Sequence, residues 1–399
     1  MTLEIRSVRP EEMEDLKAIP KIVFLPPADE PESPMRPEWT LCAFEDGKLA
    51  TSYAAWPFNM RFNGESVAAA GVTMVGTRPI YRGHGNLRKI TKAHFELLRE
   101  KREQAIALLY ASQASIYHRF GYAIVSSFNE YNIEPRYIQF HTEHSASGSF
   151  REVGDDELEL LSDLYRRFCA ERTGYLHRSK IAWKMYLTPP TTPRSLLGKI
   201  VYEEAGEPLG YMIYTMEPHT TGNPTEPWQK LVIRDFVWLT ALAYREIWNV
   251  LAAMNLVRNI VWRAPLDDPL PHLLLEPRML HSTSYDGLLA RIVDIERTIP
   301  QRGYDGEGTL IFEIQDELCP WNQGRWKVDA TGGKAAIEHC AEDPQLVIPI
   351  STMAMLLFNQ ISATEAARMG RLDVRKPEAL SLWDEVMRTK YRPFCPDEF

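Results

Sequence analysis

No apolar run in the sequence approaches the ~20 residues that a membrane-spanning helix requires, so no membrane partner is expected. Positive charge is not in excess either. Lys and Arg number 45 against 54 Asp and Glu, a net charge of −9, which argues against nucleic acid and suits a cationic substrate. The ten tryptophans are scattered, with none of the aromatic–basic interleaving that stacks single strands. Cysteine is scarce. Cys42, Cys169, Cys319, Cys340 and Cys395 form no C-x-x-C pair, and the histidines show no H-x-x-x-H spacing, so reduced thiols are expected and a metal site is not. Gly83-x-Gly85 lacks the third glycine and the downstream acid of a dinucleotide fingerprint, which argues against NAD. Met1-Thr2-Leu3-Glu4-Ile5-Arg6 opens directly on a strand-like pattern without a leader signature, and a cytoplasmic protein is expected.

What is present is an ordinary globular composition, 45% hydrophobic and 25% charged, over 399 residues, enough for two to three domains at ~150 residues each. The richest stretch is 71–122. Residues 72–76 form a short apolar strand pattern, stopped by Pro79. Arg82-Gly83-His84-Gly85-Asn86-Leu87 follows, and Leu87, Ile90, Phe95, Leu97 and Leu98 then recur at helical spacing. A glycine turn entering a helix points unpaired N–H groups outward at the positive end of the helix dipole, which suits a pyrophosphate. On its own such a turn equally well connects a strand to a helix.

Strand, Arg-x-x-Gly loop, helix, Ala-containing strand and Tyr-containing helix, in that order, resemble the acetyl-CoA site of GCN5-related N-acetyltransferases (GNATs). Tyr110-Ala111-Ser112, then Ile116-Tyr117-His118-Arg119-Phe120-Gly121-Tyr122, resembles the enhanced intracellular survival (Eis) branch of that family. So do Asp268-Pro269-Leu270-Pro271-His272-Leu273-Leu274, Asp286-Gly287-Leu288, Arg302-Gly303-Tyr304 and the closing Glu398-Phe399. The chain departs from the branch in two places. Leu87 replaces a small residue, and Arg82 stands where several arginines are usual, which implies a weaker hold on the CoA 3′-phosphate.

The coarse pattern predicts an α/β (α+β) fold of three parts. Residues 1–135 read as a complete catalytic domain, with hairpins turning at Glu45-Asp46-Gly47-Lys48 and Asn63-Gly64. Residues 136–284 repeat the same order of elements, but Thr240-Ala241-Leu242-Ala243-Tyr244-Arg245 offers no glycine where the first domain has its loop. That part reads as a degenerate GNAT-like scaffold. Residues 285–399 carry short strands and then three helices, the first capped by Ser351, the second by the Ser362–Glu365 capping box, the third opened by Pro377. This resembles a sterol-carrier-protein-like domain, suited to holding a lipid or to plain packing.

The resemblance implies a chemistry: acetyl transfer from acetyl-CoA, without metal, to a primary amine such as an aminoglycoside, a polyamine or a lysine side chain. It places Met74, Val75, Gly76 and Thr77 on the thioester, with Arg82, Gly83, His84, Gly85, Asn86, Leu87 and Ser112 also on the cofactor. It makes Tyr117 the general acid and the Phe399 carboxylate the base, with Glu398 attracting the ammonium of the acceptor. A phenol stays protonated at neutral pH and can serve a departing thiolate, although a tyrosine there also packs a short helix onto a sheet. Tyr122 is expected to be structural. Asp29, Glu30 and Glu32, in a Pro-rich loop over 26–37, could meet an amine or remain solvated. The family also implies a homohexamer. The competing class is a non-catalytic CoA- or lipid-binding protein.

Overall fold

The computed structural model describes residues 2–25, 33–142, 147–154, 156–219 and 225–399. It divides into two compact units, one made of Met1–Ser126 with Gly287–Phe399, the other of Ser127–Asp286.

The first sheet begins with β1 (Leu3–Arg6), β2 (Cys42–Glu45), β3 (Lys48–Phe62) and β4 (Glu65–Thr77), adjacent and antiparallel. The hairpin turns fall where the sequence places them, with Asp46 and Gly47, then Asn63 and Gly64, in the left-handed region that such tight turns require. Helix α1 (Met13–Phe24) buries Leu16 and Ile19. β5 (Ile106–Leu109) runs parallel to β4, reached through α2 (Asn86–Lys101), whose inward face carries Ile90, Phe95 and Leu98. The short α3 (Ala114–His118) and β6 (Ala123–Ile124) complete this stretch. β5 and β6 are not neighbours: a four-residue strand from much later in the sequence lies between them.

The second unit holds β7 (Ser127–Ile133), β8 (Ser149–Glu152), β9 (Leu196–Glu204), β10 (Glu207–Pro218), β11 (Gln229–Trp238), β12 (Val257–Pro265) and β13 (Thr283–Asp286) in one sheet, ordered β13-β7-β12-β11-β10-β9-β8. Helices α4 (Leu158–Cys169), α5 (Lys180–Leu187), α6 (Ala241–Ala252) and α7 (Leu270–Leu273) belong to it. The boundary expected after 135 falls after 126 instead. The reason is pairing: β7 makes its ladders with β12 and β13, so it belongs to the second sheet.

The chain then returns to the first unit. β14 (Leu289–Ile292) is the strand between β5 and β6, antiparallel to both, with Leu289 opposite Leu109 and Ile124. The first sheet is therefore not complete within 1–135. After α8 (Ile295–Thr298), a five-stranded sheet forms from β15 (Gly308–Gln315), β16 (Gly324–Thr331), β17 (Lys334–His339), β18 (Leu346–Pro349) and β19 (Asp373–Val374). Helices α9 (Ile350–Phe358), α10 (Ala363–Arg368) and α11 (Leu380–Met387) follow it. The Ser362–Glu365 capping box of α10 is present in both directions, at 3.1 and 2.8 Å. Ser351 does not cap α9. The cap position is Pro349, and Ser351 lies inside the first turn.

Candidate functional site

The strand pairing itself opens a wedge. β4 and β5 are hydrogen-bonded only over Ala69–Gly71 and Ile106–Leu108. From Val72 onward no ladder joins them among the described residues, so the β5-facing edge of β4 carries unpaired backbone groups. β4 is also irregular here: its register on β3 shifts between Ser52 and Ala54, and Met74 sits at φ 52°, in the left-handed region. A bulge of this kind re-aims peptide groups. Ser52 Oγ fixes the distortion by donating to the Met74 carbonyl at 2.7 Å. Met74, Val75, Gly76 and Thr77, singled out from sequence, are therefore the bulged end of β4, joined to β3 at Gly76 and Thr77 but without a ladder on the β5 side.

The loop 82–85 stands at the N-terminus of α2. Gly83 and Gly85 have φ of +86° and +76°, and a Cβ built on either would meet nothing within 4 Å, so the loop backbone is open to a ligand. No side chain caps α2, leaving its first N–H groups for an outside acceptor. Arg82 and Ser112 are exposed and Leu87 is half-buried. Asn86 is buried, and its Nδ2 donates to Glu45 Oε1 at 2.6 Å. Both Glu45 oxygens lie 3.0 Å from His84 Nδ1. The hydrogen bond from Asn86, then that from His84, holds the Glu45 carboxyl below the usual carboxylate range against the burial that would raise it. Read from the sequence, Glu45 is a turn residue. It is instead the last residue of β2 and 2% exposed.

Tyr117 projects from α3, half-buried, its ring edge-on to Tyr122 at 5.9 Å. Its hydroxyl makes no hydrogen bond to the described residues, and burial pushes its pKa up to about 12. Beneath it lie Tyr122, fully buried, and Tyr53, whose hydroxyl is 2.8 Å from His94 Nδ1. Burial pushes His94 down to about 4, keeping it neutral. The turn after α3 is held from behind. Arg291 Nε donates to the Phe120 carbonyl at 2.8 Å while the same guanidinium grips Asp316 at 2.7 and 2.8 Å. A Cβ on Gly121 would come within 2.8 Å of Arg291 Nε, so glycine is required there for space as well as for its φ of +81°.

The segment after α11 leads into the wedge. Arg302, fully buried, donates to the carbonyls of Leu357 in α9 (2.7 Å) and Met387 in α11 (2.5 Å), where helix dipoles place negative charge. Further along, the Tyr110 hydroxyl donates to the Cys395 carbonyl at 3.0 Å. The Phe399 ring then packs edge-on against Tyr110, just past β5, at 5.4 Å and against Phe58 on β3 at 4.8 Å. A Cβ on Gly71, the last β4 residue paired to β5, would come within 3.1 Å of it. The aromatic row continues from Phe58 to Trp56 at 6.5 Å and Trp39 at 5.4 Å. From the sequence Tyr110 is only the first residue of its motif and Phe58 only a strand residue, and neither is assigned a place beside Phe399. Glu398 is exposed. Asp29, Glu30 and Glu32 lie outside the described residues.

The second unit shows the same wedge in another state. β11 and β12 pair only from Gln229 to Val232. Beyond that, Phe236 and Trp238 pack against Trp262 at 5.1 and 6.2 Å, and Tyr244 stacks on Phe236 at 5.5 Å. Aromatic rings fill the gap. The Thr240 side chain caps α6 by accepting from Ala243 N–H at 3.1 Å, so one of the first N–H groups of that helix is already taken. Asp268, buried, accepts from the Tyr244 hydroxyl at 2.8 and 2.9 Å, and burial pushes it up to about 7. Among the described residues, no cluster of His, Cys, Asp or Glu could hold a metal, and no helix is long and apolar enough to cross a membrane.

Comparison with known proteins divides the chain in three, where the fold divides it in two. Residues 4–125 and 174–292 each match an acetyltransferase (GNAT) domain family, and 295–396 match a sterol carrier protein domain. An uncharacterized N-acetyltransferase of Streptomyces avermitilis is 28% identical, over 91% of this chain and 89% of its own length. The N-acetyltransferase Eis of Mycobacterium tuberculosis is 24% identical, over 79% and 77%. Among solved structures, a GCN5-related N-acetyltransferase from Anabaena variabilis superposes with a TM-score of 0.88 and Eis1 from Mycobacterium abscessus with 0.85, each 24% identical over 100% of both chains.

Proposed function

From the premise that this chain belongs to the GNAT N-acetyltransferases, with two GNAT domains and a sterol carrier protein domain, we propose that it transfers the acetyl group of acetyl-CoA directly to a primary amine. The observation that carries this reading is the wedge between β4 and β5, open at the bulged strand and lined at its mouth by Phe399. The loop 82–85 and the uncapped start of α2 fit a diphosphate, because nothing fills the space beside Gly83 and Gly85. The second unit lacks both features.

In the proposed reaction the unpaired N–H groups of 74–77 polarise the thioester carbonyl. The amine attacks after losing a proton to the Phe399 carboxylate, directly or through water. An ammonium with a pKa near ~10.4 needs that help at neutral pH. Tyr117, which burial keeps protonated, gives its proton to the departing sulfur and is restored by the proton that the attacking nitrogen sheds as the amide forms. Glu398 supplies negative charge toward the acceptor, and the net charge of −9 favours a cation such as an aminoglycoside, polyamine or lysine side chain. Arg82, Ser112 and Leu87 complete the hold on the cofactor. A homohexameric, cytoplasmic enzyme belongs to the same proposal, and a monomeric mass by light scattering would remove the assembly.

Thiol release from acetyl-CoA, measured over polyamines, lysine peptides and aminoglycosides, tests the function. Turnover on at least one amine is expected. Tight CoA binding without turnover on any would instead indicate a non-catalytic CoA-binding protein.

A further inference from the structure

The hairpin β2–β3 brings a carboxylate to the foot of the loop 82–85, and Glu45 spends its hydrogen bonds on two residues there. We infer that Glu45 is a positioning residue which fixes the tautomer of His84, so that binding the diphosphate of acetyl-CoA takes up a proton. The inference rests on the proposal that this loop holds acetyl-CoA.

An ionised carboxylate only accepts. With both Glu45 oxygens 3.0 Å from His84 Nδ1, that nitrogen carries a hydrogen whether the ring is neutral or charged. A neutral ring then presents a bare lone pair at Nε2, which makes no hydrogen bond to the described residues, on a side chain 36% exposed. A diphosphate also offers only acceptors. Contact between the two requires a proton on Nε2, which comes from solvent and turns the ring into an imidazolium. The pair Glu45–His84 is then neutral in sum, and the diphosphate does not face an uncompensated buried anion. The other charged or titratable groups around the ring are Tyr81, edge-on at 6.3 Å, Arg82 beside it in the chain, and Lys89 of α2, which acts on Glu45. Asn86, held by the same carboxylate, keeps Glu45 ionised and fixes the entry to α2.

Calorimetry of acetyl-CoA binding to the full chain tests this, at about pH 8, where a phosphate monoester is already fully ionised. Run in two buffers of different ionisation enthalpy, the apparent enthalpies report the protons exchanged. Wild type should take up a substantial fraction of one proton, and its affinity should weaken with rising pH by up to tenfold per unit. His84→Gln should bind several-fold more weakly and take up none. Glu45→Gln is the sharper variant. Its amide can donate to Nδ1, which leaves Nε2–H on a neutral ring, so it should bind within a few-fold of wild type without proton uptake. No uptake by wild type, or uptake retained in His84→Gln, overturns the inference. Uptake retained in a Glu45→Gln protein with wild-type circular dichroism does so too. Absence of any acetyl-CoA binding by wild type overturns the loop reading itself, a different result from binding without uptake.

Discussion

The ring of Phe399 meets that of Phe58 edge to face, 4.8 Å between centroids at an interplanar angle of 68°. More than three hundred positions apart in sequence, the two rings close one side of the wedge between β4 and β5. Offset aromatic pairs of this kind add about 0.5–1.5 kcal/mol beyond the area they bury. The position of Phe399 is thus set by packing of its own side chain and not by the backbone alone.

Gly71→Ala tests that packing. The added Cβ would lie 2.2 Å from Phe58 and 3.1 Å from Phe399, so both rings must move. We expect a loss of about 1–3 kcal/mol in stability. Displacing the neighbouring carboxylate should lower kcat by roughly 10- to 100-fold, read by steady-state kinetics beside thermal unfolding. Unchanged kcat would detach Phe399 from the chemistry.

Appending a few residues after Phe399 converts its carboxylate into an amide. Activity should fall by about 100-fold or more, the usual worth of a proton-transfer group, while circular dichroism and CoA affinity stay as in wild type. The same tag placed before Met1 controls for bulk. Full activity in the extended protein would exclude the terminal base.

Tyr117→Phe should lower kcat by about 10²–10⁴-fold with little change in the affinity for acetyl-CoA, because only the proton donor is removed. The pH profile adds a second check. With Tyr117 pushed up to about 12, kcat should show no alkaline decline through pH 10 from loss of this acid.

Asp268 predicts a pH dependence of stability. Burial pushes its folded pKa up to about 7, against about 3.9 in an unfolded chain. Between those values the folded state binds more protons than the unfolded one, so this group's contribution to stability falls as pH rises from about 4 to about 7 and is level above. Asp268→Asn keeps an acceptor for Tyr244 and removes the titration. Relative to wild type, the variant should gain roughly 1–4 kcal/mol between pH 4 and pH 8, followed by urea unfolding at each pH. A constant difference would mean that Asp268 does not titrate in this range.

Much of the first domain was legible because its signals are local. Asn63-Gly64 and Asp46-Gly47 specify turns, the spacing Ile90, Phe95 and Leu98 specifies α2, and the capping box marks α10. That the loop 82–85 enters a helix and that Tyr117 lies on a short one were legible through motif order. What escaped depends on pairing at long range. Leu289–Ile292 is a four-residue apolar run whose partners are Ile106–Leu109 and Ala123–Ile124, and nothing in the run names them. Glu45 reads as a turn residue until His84 and Asn86 are folded onto it. Ser351 failed as a cap because Pro349, already extended at φ −60° and ψ 142°, takes the position first.

The place of β14 also bears on how the protein is made. A chain synthesised only as far as β6 leaves the buried residues of β5 with an open edge, the kind of surface that invites aggregation. Closing that edge by a random search over the intervening residues would cost entropy that grows with the logarithm of the loop. The middle unit shortens the search. Its first and last residues, Ser127 and Asp286, are opposite one another in register, and Gly287 N–H already bonds the Ser126 carbonyl at 3.0 Å. Once that unit has folded, 289–292 is delivered beside 123–124 with only a few residues left to place. The middle unit is then the clasp that lets the first sheet assemble.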